Sequence, residues 1–278
     1  MNYSTLIKTN TIILALLINF SITYKNCFSD SLGVKNSETP IITENVEDRL
    51  DVRPVILKNK PLHEKEVFLT FDDGPSITTT PKILNILTSN NVKATFFVIG
   101  KNVEASPKIV NELVKNGMCV LPHTYTHEYK IYSNVNSYLT DYNKCLESIK
   151  KYVPNSKEAF VRMPGGSDIS VSNKTQLKKI RDTLKNQNIK YIDWNVSSGD
   201  ANSNSVPTSV IKNNVISQCK NKKIAVVLMH DGYYKKSTVD ALPDIINYLK
   251  NEGYVFRTLT DLSPEEEELL IKMKVINR

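Results

Sequence analysis

Val67-Phe68-Leu69-Thr70-Phe71-Asp72-Asp73-Gly74-Pro75-Ser76 carries an apolar run straight into two adjacent carboxylates. The run has the composition of a strand buried on both faces, and the aspartates stand at its mouth. An unpaired charge taken out of water costs several kcal/mol or is neutralised. Two side by side therefore call for a metal, an arginine or a reaction.

Working outward, similar short runs recur at Ala94–Ile99, Ala159–Val161, Tyr191–Trp194 and Ile224–Met229, with a weaker one at Met118–Leu121. Helical spacing separates them. Ile109, Val110, Leu113 and Val114 share one face, as do Val239, Leu242, Ile245, Ile246 and Leu249. Gly117 and Gly253 stand where helix C-caps belong, and Ser263-Pro264-Glu265-Glu266 spells a capping box with a first-turn proline. Alternating strands and helices imply a parallel α/β sheet, either open and doubly wound or closed into a barrel. The polar residues decide between them. Asp72 and Asp73 end one strand, His123 another, Arg162 a third, Trp194 a fourth and His230 the last. Five strands contributing at their C-terminal ends favour a barrel, which brings those ends together where an open sheet would hold its outer strands apart.

The chain has 278 residues, enough for one large domain, and a net charge of +7. That charge suits an anionic wall polymer or membrane surface. No Lys/Arg cluster is interleaved with aromatics, which argues against nucleic acid. Residues 1–29, with Lys8 ahead of an apolar core from Thr11 to about Tyr24, read as a signal peptide or N-terminal membrane anchor. Residues 30–62 are polar, with Pro40, Pro54 and Pro61, and read as a linker. The catalytic domain is placed at 63–278. These features predict export to the outer face of the membrane or the wall. Cys27, Cys119, Cys145 and Cys219 match no zinc spacing and read as small buried hydrophobes.

Three of the four histidines sit at strand ends. His123 and His127 are four apart, a spacing that predicts both imidazoles on one side of a helical turn. With one carboxylate of the aspartate pair they form a two-His-one-carboxylate metal set with positions open for water and substrate. The other carboxylate is left as a general base, with Arg162 to hold it ionised. His230 is placed to protonate a leaving group if a carboxylate raises its pKa, and either Asp200 or Asp231 is available.

The ordered motifs Thr70-Phe71-Asp72-Asp73-Gly74-Pro75, His123-Thr124-x-x-His127, Arg162-x-Pro164, Trp194-x(5)-Asp200 and Leu228-x-His230 resemble those of the polysaccharide deacetylases, the NodB-homology family or carbohydrate esterase family 4. The resemblance spans roughly Val67 to Leu262. It implies a distorted (β/α)7 barrel and metal-dependent removal of N-acetyl groups from amino sugars. Asp72 then resembles the general base, Asp73 with His123 and His127 the metal set, and Arg162 the residue orienting the base. His230 resembles the general acid, tuned by Asp200. The Gly165 N–H then resembles the family's oxyanion donor. Trp194 is expected to line the acetyl pocket, with a place in the core as the alternative. Three positions depart from the family pattern. Met163-Pro164-Gly165-Gly166 lacks the bulky residue after proline, Leu121-Pro122 replaces Gly-Asn, and Ala201 replaces a second tryptophan.

These readings predict a divalent metal, Zn²⁺ first and Co²⁺ or another divalent ion after it, and a cell-wall glycan substrate. Peptidoglycan is favoured over chitin oligosaccharides. A catalytically inactive glycan-binding or morphogenetic protein on the same fold is the main alternative. A phosphohydrolase with an aspartate nucleophile fits less well, because it leaves the paired histidines unexplained.

Overall fold

In the computed structural model, which describes residues 65–153 and 160–278, the opening run forms β1 (Glu66–Asp72) with all seven residues buried. The predicted leader at 1–29 and linker at 30–62 lie outside the described residues, as does Ala159. After β1 come α1 (Thr80–Ser89), β2 (Thr95–Val98), α2 (Gly100–Ala105), α3 (Pro107–Lys115) and β3 (Cys119–Pro122). Next are α4 (Val135–Lys150), β4 (Phe160–Val161), α5 (Lys174–Asn186), β5 (Lys190–Tyr191) and β6 (Val196–Ser197). The chain ends with α6 (Thr208–Cys219), β7 (Ile224–His230), α7 (Lys236–Asn251), β8 (Val255–Phe256) and α8 (Pro264–Lys272).

Every ladder between the strands β1 to β8 is parallel, as the alternation of strands and helices predicts, and a single antiparallel bridge joins Ile192 to Ile276. One sheet has the order β3-β2-β1-β7-β6, with β8 beside the start of β1, and β4 pairs with β5 separately. The stretch 190–197 joins the two, because its start ladders with β4 and its end with β7. On the other side β3 and β4 share the bond from Arg162 N–H to Pro122 O (3.2 Å). The sheet is thus an incompletely laddered barrel.

Alternation along β1 fills that barrel. Val67, Leu69 and Phe71 pack outward with apolar residues of the helices. Phe68 packs inward with Phe97, Leu121, Phe160, Ile192 and Val226 from the surrounding strands. Thr70 and Asp72 share the parity of Phe68 and so continue its inward row to the C-terminal mouth.

The weaker run at Met118–Leu121 forms a full strand, β3. The predicted strand at Tyr191–Trp194 is instead split. The carbonyls of Ile192 and Asp193 accept hydrogen bonds from the Arg162 guanidinium (3.2 and 3.0 Å), so the ladder is interrupted there. The short strands β6 and β8, of two residues each, are not among the predicted runs. Gly117 and Gly253 follow α3 and α7 with φ of 71° and 79°, and the Ser263–Glu266 capping box is formed. Cys119, Cys145 and Cys219 are buried free thiols, as expected. Burial pushes them up to about 11, 12 and 11 respectively. No helix among the described residues is long and apolar enough to cross a membrane.

Candidate active site

Asp72 ends β1 at 3% exposure, and what makes its burial tolerable is Arg162. The Arg162 Nη1 donates to Asp72 Oδ1 at 3.0 Å and to Thr70 Oγ1 at 2.5 Å. The Thr70 hydroxyl in turn donates a hydrogen bond to Val227 O (2.7 Å). With Nε on Ile192 O, Nη2 on Asp193 O and the Phe97 ring 4.2 Å from Cζ, the guanidinium is fixed on every side. A buried pair is tolerable when its remaining donors and acceptors are satisfied in this way. The residue predicted to orient Asp72 therefore touches it.

Asp73, His123 and His127 place one donor atom each within 4.8 Å of one another. Asp73 Oδ1 lies 3.5 Å from His123 Nε2 and 3.2 Å from His127 Nε2. That oxygen is buried without a hydrogen-bond partner of good geometry. His123 gives its Nδ1–H to the Arg162 carbonyl (2.8 Å), which leaves Nε2 as a lone-pair donor toward the centre. An orphaned carboxylate oxygen facing an imidazole with its second nitrogen occupied is what a cation site requires, so the residues fit a metal. The electrostatics agree. Burial pushes Asp73 up, yet His123, His230 and His127 hold it well below the usual carboxylate range. Burial pulls His123 down, and the Asp72 and Asp73 charges outweigh it and raise it. The centre attracts positive charge.

The helical turn predicted for His123 and His127 is not present. Thr124 and His127 adopt φ of 68° and 58°, which no right-handed helix accommodates, and Asp73 has φ 77°. Each such residue costs about 1 to 3 kcal/mol and persists only where its surroundings dictate it. Asp141 on α4 supplies that constraint. Its carboxylate accepts from the N–H groups of Tyr125 (2.6 Å) and Thr126 (3.0 Å) and from the Thr126 hydroxyl (2.7 Å). Nothing in the sequence singled out Asp141, since its partner loop looked helical. Asn102 acts similarly on the other side by donating to Asp73 O (2.9 Å).

His230 meets Asp200 and not Asp231. Its Nδ1 lies 2.7 Å from Asp200 Oδ1, and its N–H donates to Asp200 Oδ2 at 2.8 Å. Thr238 and Lys235 complete the bracing, on Asp200 Oδ2 and O respectively (both 2.8 Å). Burial lowers the His230 pKa, but the Asp200 hydrogen bond and charge, with Asp72 and Asp73 behind them, carry it to about 9. Asp231 turns instead to Thr80, whose hydroxyl donates to it at 2.5 Å, and burial pushes it up to about 7.

Asp72, Asp73, His123, His127, Gly165, Trp194, Asp200 and His230 line one cavity of about 320 Å³, joined by Tyr129 and Ala201. Arg162 lies behind it. Gly165 has φ 76°, and a Cβ there would come within 2.1 Å of Ile169 Cδ1, so the absence of a bulky residue in this turn is dictated locally. Asp193 pins the turn by accepting from Ser167 N–H (2.9 Å) and Oγ (2.6 Å), a role sequence reasoning missed. Trp194 is half-buried and both packs on the core and walls the cavity.

The family model described as polysaccharide deacetylase matches residues 59–192. A peptidoglycan-N-acetylglucosamine deacetylase of Bacillus cereus is 35% identical over 213 residues, covering 75% of this chain and 72% of the relative. A bifunctional xylanase/deacetylase of Pseudobutyrivibrio xylanivorans is 37% identical over 72% of this chain but only 31% of its own length. The catalytic domain of a peptidoglycan N-acetylglucosamine deacetylase from Eubacterium rectale superimposes with a TM-score of 0.65 at 34% identity, over 73% of this chain and 92% of that one. This chain belongs to the polysaccharide deacetylase family, carbohydrate esterase family 4, and is by that membership a deacetylase directed at a glycan.

Proposed function

We propose that the chain removes acetyl from N-acetylhexosamine units of a cell-envelope glycan, with peptidoglycan as the substrate and Zn²⁺ as the resident ion. The observation that carries the proposal is the division of the aspartate pair. Asp72 is engaged by Arg162, while Asp73 faces His123 and His127. The ion, when bound, supplies polarisation of the acetamide carbonyl and acidification of nearby water. Asp72 takes the proton from the attacking water as its oxygen bonds the carbonyl carbon. The Gly165 N–H donates to the carbonyl oxygen as that atom gains charge. His230, with Nδ1 held by Asp200, presents Nε2–H to the amide nitrogen. As the C–N bond breaks that proton moves to the nitrogen, giving acetate and a free amino sugar.

Peptidoglycan is supported by the relatives named for it and by the net charge of +7, which suits an anionic wall. The same relatives support an exported location. The test is acetate release from purified peptidoglycan and from chitin oligomers, with chelation and metal add-back, paired with mass spectrometry of muropeptides. Release that stops on chelation and returns best with Zn²⁺ is expected. Binding to the glycan with no release under any metal would instead identify a glycan-binding protein.

A further inference from the structure

Helix α5 is charged unlike its neighbours. Its 13 residues carry Lys174, Lys178, Lys179, Arg181 and Lys185 against a single acid, Asp182. The longer helices α4 and α7 each balance two bases with two acids. A helix face that needs only solvation is served by such balanced pairs, because like charges one turn apart repel. The excess on α5 costs that helix stability and creates a local positive field.

The sequence also sets the cations in line. Positions 174, 178, 181 and 185 share one flank of the helix, a stripe about 16 Å long. Leu177, Ile180 and Leu184 take the buried side and pack with Tyr138, Tyr142 and Val161. Lys174, Lys178, Lys179 and Lys185 are all exposed. Of these four, Lys178 alone has a carboxylate partner among the described residues, Asp182 at 2.6 Å. Arg181 ties the stripe to the site. Its Nη1 donates to Ser167 O at 2.9 Å, and Ser167 directly follows the Gly165-Gly166 turn of the cavity wall. The stripe thus passes one arginine side chain away from the reacting cavity.

We infer that the lysine stripe of α5 is a docking surface for a linear wall polymer of phosphodiester-linked repeats, held beside the cavity while the glycan enters it. Charge complementarity selects that occupant. A phosphodiester keeps its charge at every working pH and is met by ammonium point charges without a fixed fork. Planar carboxylates favour arginine, and the one arginine of α5 is turned to Ser167. A helix lying on an acidic membrane would bury apolar side chains in it, and those of α5 are already in the core. The inference rests on the cell-envelope reading above and deepens it by adding a second polymer of the same envelope. Where that polymer is joined to the glycan, holding it raises the effective concentration of substrate at the cavity.

The experiment uses the full chain and measures binding to poly(glycerol phosphate) by calorimetry over a range of salt. It also measures acetate release from sacculi before and after hydrogen fluoride strips their phosphodiester polymer. One variant combines Lys174→Gln, Lys178→Gln, Lys179→Gln and Lys185→Gln. A control of equal net charge combines Lys82→Gln, Lys108→Gln, Lys115→Gln and Lys220→Gln, all exposed and on other elements. The α5 variant should bind the polymer at least about tenfold more weakly, with a flatter salt dependence. It should lose the preference for unstripped sacculi and keep wild-type kcat/KM on a neutral N-acetylglucosamine pentamer. The control should bind as wild type does. Equal weakening in the two variants would overturn the surface, since net charge alone would then explain binding. Wild-type binding to polygalacturonate or to phosphatidylglycerol vesicles as tight as to poly(glycerol phosphate) would overturn the choice of occupant. If the polymer binds through α5 but no substrate loses acetate, the surface stands and the proposed reaction fails. If wild type and α5 variant release acetate equally from both kinds of sacculi, the reaction stands and the surface fails.

Discussion

β1 has a buried carboxylate at each end, and the two ends handle the same charge differently. At the entry, Glu66 is 2% exposed and accepts from Arg257 Nη1 at 2.8 Å, while the same nitrogen also serves Glu266. Two acids thus share one guanidinium, and Glu66 Oε2 is buried without a partner. Burial and the proximity of Glu266 outweigh Arg257 and push Glu66 up to about 7. At the exit, Asp72 is paired with a fully braced Arg162, and the second acid, Asp73, faces imidazoles. The excess negative charge at the entry favours a proton, and at the exit Asp73, His123 and His127 form a donor set that fits a cation. This matches the division of a parallel barrel into a stabilising N-terminal end and a reactive C-terminal end.

The strongest way to break that contrast is Asp72→Asn. Acetate release should fall about 10³-fold with glycan binding kept, because the proposed base is removed and the groove is not. Appreciable activity in the variant would remove Asp72 from the reaction. Arg162→Met comes next. It leaves Asp72 buried and unpaired, so denaturant unfolding should show a loss of about 3–5 kcal/mol along with lost activity. A stable variant would mean that the exit is no more constrained than the entry.

Asp200→Asn should lower kcat about 10- to 100-fold and move the alkaline limb of the pH–rate profile to lower pH. The sign follows from His230. Its acid form is present below its pKa of about 9 and lost above it, and Asp200 is the main group raising that pKa. A cation beside Asp73 cancels part of the field from the aspartates, so the limb of the loaded enzyme lies below 9. A profile whose limb stays in place would sink the assignment of the acid.

The smallest effect is expected at the entry. Glu66 has a folded pKa above its ordinary 4.5, so its stabilising contribution is full below 4.5 and lost as pH rises through about 7. Glu66→Gln should flatten that part of the Tm-versus-pH curve and leave acetate release alone. A change in kcat would show that the two ends are coupled.

Much of this was legible because barrel chemistry sits at strand ends, and strand ends are where apolar runs meet polar residues. Asp72, His123, Arg162 and His230 could be picked out on that ground. The partner of His230 could not be chosen on that ground, since Asp200 and Asp231 both offer a carboxylate; the family resemblance names Asp200, and the structure puts it 2.7 Å from His230 Nδ1. The conformation of the His123–His127 loop was misread because a spacing of four is common to a helical turn and to a loop held by a distant acid. That acid, Asp141, lies on a helix elsewhere in the chain. Thr70 and Asp193 were invisible for a related reason: the Thr70 hydroxyl serves a guanidinium and the Asp193 carboxylate serves the Ser167 turn, both partners distant in the chain. The break at Ile192 and Asp193 follows from the same guanidinium, which takes carbonyls that a strand would otherwise use.

The three buried thiols have a consequence of another kind. Cys119 lies in the inward cluster, Cys145 on α4 and Cys219 at the end of α6, and all three are protonated at neutral pH. An alkylating reagent needs the thiolate and needs access, and the native fold denies it both. Labelling at each cysteine therefore times the opening of its own part of the molecule, one clock each for the barrel interior, the helix that braces the histidine loop and the helix packed behind β6.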